Sequence, residues 1–165
     1  MTAAGGRVTT RPLTISDRAR VESMTRAVGL FREEEIPVAV EVFEATAARN
    51  DTYEGLAALR DGEVVGWISW GPTPGTLGTF DLYWIVIEPS CHGQGIGTLL
   101  VDEMERLIAG RARLIIVETA GRPDYESTRD FYRRRGYEAI SVIPDFYAPA
   151  DDKVTFVKRL HCGDV

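Results

Sequence analysis

The sequence predicts a mixed α/β fold, and three observations carry that prediction. Residues 85–100 read as strand, turn, glycine loop and helix. Ile85, Val86 and Ile87 are β-branched, Pro89 cannot extend a central strand, and Gly93, Gly95 and Gly97 lead into apolar residues at helical spacing. Residues 114–119, Leu-Ile-Ile-Val-Glu-Thr, form the aliphatic run of a strand buried on both faces, as parallel pairing requires. Along the whole chain, period-two and helical-period stretches follow one another as β-α-α-β-β-β-α-β-α-β-β.

Taken in order, residues 8–13 alternate as a first strand, with Pro12 tolerable at a sheet edge. Ser16 or Asp17 can cap a helix that runs to about residue 28, where Gly29 ends it. A second helix follows with Val38, Val42, Ala45 and Ala48 as its apolar stripe. Residues 56–59 and 64–70 flank Asp61-Gly62, a hairpin signal. Gly71, Pro72, Pro74 and Gly75 break the next stretch into a loop. Residues 79–87 alternate again and place Asp81 and Tyr83 on one face. The helix after the glycine loop carries Ile96, Leu99, Leu100, Met104, Leu107 and Ile108. Asp124 can cap a helix over residues 125–135, closed by Gly136. Two last strands, 137–143 and 154–160, are expected on either side of a long aromatic and acidic loop, residues 144–152.

Composition bounds the function. The chain has 165 residues, 44% of them hydrophobic and 27% charged, enough for a full core. A net charge of −6 argues against nucleic acid as a partner, since that footprint is basic. No apolar run approaches the roughly 20 residues of a membrane span. Two cysteines, Cys91 and Cys162, make no disulfide framework and fit a reducing, cytoplasmic setting. His92 and His161 are the only histidines, so neither a zinc pattern nor a serine triad can be assembled, and no metal is expected. We expect residues 1–7 to be a disordered leader, residues 8–160 one domain, and residues 161–165 a tail.

The glycine loop is the chemical centre of the chain. Missing side chains at 93, 95 and 97 let a ligand approach the backbone. The first turn of the following helix presents unpaired N–H groups and a partial positive charge, which together suit a phosphate. A dinucleotide fingerprint fails, because Thr98 stands where its third glycine belongs. A P-loop fails too, because the chain has no lysine before Lys153.

His92-Gly93-Gln94-Gly95-Ile96-Gly97 resembles the [QR]-x-x-G-x-[GA] motif of the Gcn5-related N-acetyltransferases, with histidine at the first position. Residues 128–137, Thr-Arg-Asp-Phe-Tyr-Arg-Arg-Arg-Gly-Tyr, are similar to that family's A-x-x-[LF]-Y-x-x-x-G-[FY] segment, with Thr128 for alanine. Tyr125 replaces the family's asparagine three residues earlier. The resemblance spans about residues 8–160. It implies a mostly antiparallel central sheet, splayed in the middle, with helices on both faces. It also implies acetyl-CoA as cosubstrate. On that basis the pyrophosphate falls to the backbone of His92, Gly93, Gln94, Gly95, Ile96, Gly97 and Thr98. Pantetheine falls to Ile85, Val86 and Ile87, and further cofactor contacts to Tyr125, Thr128 and Tyr132.

Acetyl transfer from a thioester to an amine needs a proton acceptor, a stabilised oxyanion and a proton donor to the departing thiolate. Tyr132 matches the family tyrosine that faces the sulfur; a phenol can protonate a thiolate of similar basicity. Glu118, ending an aliphatic strand, is one acceptor, and partial burial would raise its pKa toward a useful range. Asp81 is its rival. The acceptor is expected to be a small cationic or amino-acid-like primary amine. It would be drawn by Glu33, Glu34, Glu35, Asp81, Asp145, Asp151 and Asp152 and walled by Phe31, Tyr83, Phe146 and Tyr147. The alternatives are acetylation of protein N-termini or lysines, or a CoA-binding regulatory module without turnover. The sequence also leaves room for a homodimer.

Overall fold

The computed structural model describes residues 6–50 and 52–160. Elements follow the expected order: β1 (Val8–Pro12), α1 (Arg18–Ala27), α2 (Glu35–Ala47), β2 (Glu54–Arg60), β3 (Glu63–Pro72), β4 (Thr79–Ile87), α3 (Ile96–Ile108), β5 (Leu114–Ala120), α4 (Glu126–Arg134), β6 (Glu138–Ala148) and β7 (Asp151–Arg159). Hydrogen bonds link these strands into one sheet in the order β1-β2-β3-β4-β5-β7-β6. The β4–β5 ladder is parallel, and the β1–β2, β2–β3, β5–β7 and β6–β7 ladders are antiparallel. Most of the expected leader (residues 1–5) and the whole tail (161–165, with His161 and Cys162) lie outside the described residues. The chain sorts into two compact units: Met1–Gly71 with Trp84–Leu107, and Pro72–Tyr83 with Ile108–Val165.

In the first unit, Leu13, Val21, Met24, Ala39, Phe43, Ala57, Val64, Trp67 and Val86 form the core. The Phe43 and Trp67 rings meet edge to face at 6.1 Å, a favoured aromatic geometry. The buried indole of Trp67 donates to Thr25 at 3.2 Å. The β2–β3 turn places both Asp61 (φ 51) and Gly62 (φ 84) in the left-handed region, the backbone a two-residue hairpin prefers.

Two expectations fail here. Asp17 stands at the N-cap position of α1 but makes no side-chain cap bond there; its carboxylate turns back to Thr14. The Thr14 N–H donates to the Asp17 carboxylate at 3.0 Å, across a single 3-10 turn that leads into α1. The buried side of α2 is Ile36, Ala39, Val40, Phe43 and Thr46. Val38, which the sequence pattern placed on the stripe, is exposed. The two candidate series interleave at helical spacing, and Phe43, the largest apolar residue available, decides which one turns inward.

In the second unit, β5 runs between β4 and β7. Thr79 to Leu82 of β4 pair with Leu114 to Val117, and all of β5 pairs with β7. Tyr132, Tyr137 and Phe156 form an aromatic cluster, with ring separations of 5.5 and 6.0 Å from Tyr132. Gly136 (φ 85) ends α4: its N–H reaches Arg133 O at 3.1 Å and the N–H of Tyr137 reaches Tyr132 O at 3.1 Å, a Schellman closure. Asp124 does not cap α4; it sits in the preceding 3-10 turn, 3.3 Å from Arg122 Nε.

The expected long loop at 144–152 is also corrected. β6 continues to Ala148, and only Pro149-Ala150 separate it from β7. The register shifts between Ile143 and Ala148, where Pro144 interrupts pairing and Asp145 takes φ 55. The bend is held by its own acids. Asp145 N–H donates to Asp152 Oδ1 at 3.0 Å, and Ala150 N–H to Asp145 Oδ1 at 2.6 Å.

Candidate active site

The cradle is assembled in the first unit. β4 ends at Ile87, and Pro89 opens a single 3-10 turn to Cys91. The chain then passes through Gly93 (φ 72) and Gly95 (φ 81) into α3. Left-handed backbone is costly for L-residues, so both positions need glycine. A Cβ built on either one would meet no atom within 4 Å, so both face open space. Gly97 already lies inside α3 and does not need that freedom. The helix begins with Leu99 N–H on Gly95 O at 3.0 Å, so the N–H groups of Ile96 and Gly97 precede its hydrogen-bond ladder. Ile96 anchors this turn with a buried side chain.

The side chains of the loop turn back to brace it. His92 Nε2 lies 2.8 Å from the carbonyl of Ile87. A carbonyl only accepts, so this nitrogen carries the proton. Gln94 donates to Ser90 O at 3.1 Å and accepts from Arg60 Nη1 at 2.7 Å. Arg60, the last residue of β2, is a member of the site that sequence reasoning missed; no motif marks it. Glu88 is fastened by Arg20 at 2.6 Å, and its N–H donates to Val65 O at 2.9 Å. The strand end that follows Ile85, Val86 and Ile87 is therefore anchored at Glu88, through its side chain and its backbone.

The acid–base candidates lie in the second unit. Register decides which of them share a face. Asp81 pairs with Ile116, and Glu118 pairs with Thr155, so Asp81, Glu118 and Lys153 project from one face of this part of the sheet. Val117 pairs with Phe156, whose ring touches Tyr132, so Tyr132 belongs to the opposite face. Asp81 accepts a hydrogen bond from Thr73 Oγ1 at 2.6 Å. The partial burial that the sequence reading invoked for Glu118 is not found: its side chain is 48% exposed and accepts from Lys153 Nζ at 3.0 Å. That ammonium also lies 4.2 Å from the centre of the Phe146 ring.

Tyr132 is 2% exposed, and burial, with the neighbouring Tyr125, pushes its phenol well above the ordinary range. Tyr125 is buried beneath the Arg122 guanidinium at 5.1 Å, and Thr128 occupies the first turn of α4. Of the acids expected to draw an amine, Asp145 and Asp152 are spent on backbone N–H groups, and Asp151 is buried 3.7 Å from Arg122. Glu35 accepts from Arg32 N–H at 2.7 Å, in front of α2, and Glu33 lies 3.8 Å from Arg26. Among the described residues no group of His, Cys, Asp and Glu could hold a metal ion, and no helix is long and apolar enough to cross a membrane.

Against known proteins, the model of the acetyltransferase (GNAT) family matches residues 21–137. A crystal structure described as a GNAT-family acetyltransferase from Desulfovibrio desulfuricans superposes with a TM-score of 0.88 at 32% identity. The match covers 94% of this chain and all of that one. An uncharacterized N-acetyltransferase of Methanocaldococcus jannaschii is 28% identical over 104 residues, 60% of this chain and 62% of its own. The S-(2-succino)cysteine N-acetyltransferase of Bacillus subtilis is 28% identical over 82 residues, 47% of this chain and 50% of its own. The chain thus spans about half to three-fifths of the curated relatives it matches. Structures of the same fold have been solved with CoA or acetyl-CoA.

Proposed function

Because this chain belongs to the acetyltransferase (GNAT) family, we propose that it transfers an acetyl group from acetyl-CoA to a primary amine by direct attack. The acceptor in this reading is small, and either cationic or amino-acid-like. The observation that carries the reading is the cradle: two left-handed glycines, facing open space, at the start of a 13-residue helix. That geometry suits an anion the size of a pyrophosphate, because backbone N–H groups and the helix dipole act on it together.

The chemistry is then divided among residues of this chain. The backbone from Gly93 to Thr98 holds the pyrophosphate, and residues 85–87 hold pantetheine and polarise the thioester carbonyl. Glu118 or Asp81 takes the proton of the attacking amine. Tyr132, protonated at neutral pH and standing on the opposite face of this part of the sheet, is the donor to the departing thiolate in this reading. The S-(2-succino)cysteine acetylated by the B. subtilis relative is an amino-acid derivative, in keeping with this acceptor class.

Thiol release from acetyl-CoA against a panel of amines tests the reaction. Gly95→Asp tests the cradle. It forces a side chain onto φ 81 and sets a negative charge before the pyrophosphate. It should weaken CoA binding by about tenfold or more, read by titration calorimetry on protein whose unfolding transition is intact. Unchanged CoA affinity in a folded Gly95→Asp variant would remove the glycine loop as the cradle.

A further inference from the structure

Resting on the acetyltransferase reading, we infer that the Glu118–Lys153 ion pair, with Phe146, is the docking site for an acceptor that carries its own carboxylate. The acceptor class is therefore narrowed to α-amino acids and their derivatives, and away from simple cations.

The inference starts from what the acids do. Asp145, Asp151 and Asp152 are committed to the hairpin and to Arg122. On the face shared with Asp81, the charge of Glu118 is matched by Lys153 at 3.0 Å. A dication arriving at the pair itself would meet a compensated carboxylate and a lysine that repels it, with Asp81 as the one further carboxylate of this face. A zwitterion meets a charge pair of its own kind. Its ammonium can take Glu118, and its carboxylate can take Lys153, without leaving either partner unpaired.

Two features make the exchange feasible. The Glu118 side chain is 48% exposed, and an ion pair open to solvent is weak, so a ligand can replace it. The Lys153 side chain is 14% exposed, and its ammonium lies 4.2 Å from the Phe146 ring centre. Its position does not have to be organised anew when Glu118 lets go. Phe146 is itself 49% exposed and offers an apolar wall beside the charges. The bend that carries it is fixed by the Asp145 and Asp152 hydrogen bonds.

The test compares each free amino acid with its own α-amide and with a diamine, in the same thiol-release assay, for the parent, Lys153→Met and Lys153→Arg. In the parent the free acid should have kcat/KM about tenfold or more above its amide, the worth of one charge-assisted contact. Lys153→Met should close that gap by raising the KM of the acid, with the KM for acetyl-CoA unmoved. Lys153→Arg should keep most of the preference. A parent that favours amides or diamines, or a Lys153→Met variant that retains the preference for acids, overturns this inference and leaves acetyl transfer standing. No amine-dependent thiol release with any of these compounds overturns both.

Discussion

Tyr132 carries two demands that pull against each other: a donor must keep its proton until the thiolate forms, and then give it up. Burial reinforces the first, because desolvation disfavours the phenolate and pushes the pKa up. A phenol is protonated at neutral pH even when exposed, and burial makes this one a weaker acid still, so it does not set the basic side of the pH–rate profile. Tyr132→Phe removes one hydroxyl and keeps the ring against Phe156 and Tyr137. It should lower kcat by roughly 10²- to 10⁴-fold, the usual worth of a placed general acid, with CoA affinity near that of the parent. The limbs of the profile should stay where they were while its plateau falls; pre-steady-state measurement of thiol release reads this even where product release is slow. Arg60 makes a different kind of contribution. It touches Gln94 rather than the open side of the loop, so its removal loosens the cradle without deleting a charge the reaction consumes. Arg60→Ala should raise the KM for acetyl-CoA by about tenfold, the cost of one charge-assisted hydrogen bond, with kcat changed far less. Steady-state kinetics with acetyl-CoA as the varied substrate checks it.

Among the elements, the entrance to α1 shows how a boundary is secured by charge. The Asp17 carboxyl is held below its ordinary range, first by hydrogen bonds from Arg11 at 2.8 Å, against the opposing effect of desolvation, and then by the Thr14 N–H. A lowered native pKa means that this stability is present above the unfolded carboxyl value of about 3.9, and is lost as pH falls through the native value. Asp17→Ala should cost about 1–3 kcal/mol at pH 7, the range of lost hydrogen bonds to a charged group. The difference from the parent should shrink as pH falls below the unfolded carboxyl value, as urea unfolding at a series of acidic pH values would show. The same scale explains which elements could be read in advance. β4 and β5 were legible because strict alternation in one and an unbroken aliphatic run in the other leave few readings. The outer half of β6 was not, because Pro144 and Asp145 carry the ordinary signals of a loop. Only cross-strand contacts with Asp152 reveal that the backbone resumes pairing. The inward face of α2 was misread because its composition offers two apolar series, and only the packing of Phe43 with Trp67 chooses between them.

At the scale of the whole molecule, the family and the cradle were written in contiguous residues, and the rest of the site was not. Gly93, Gly95 and the start of α3 lie within a few positions of each other, so their joint geometry follows from local rules. Glu118 and Lys153 are 35 positions apart and meet only through the β5–β7 register. Neither residue taken alone announces the other. Arg60 and Gln94, 34 positions apart, pose the same problem. The rarity of lysine was visible but mute: of 19 basic residues, only Lys153 and Lys158 are lysines. The structure gives that imbalance a chemical meaning. A protein that holds an activated thioester exposes its own nucleophiles to acylation. Guanidinium groups stay charged and inert at neutral pH, whereas a lysine amine that sheds its proton is a rival to the intended acceptor. Here one of the two lysines is clasped between a carboxylate and an aromatic face. The surface of this chain is thereby almost free of competing amines, and its own side chains offer its acyl donor few places to misfire.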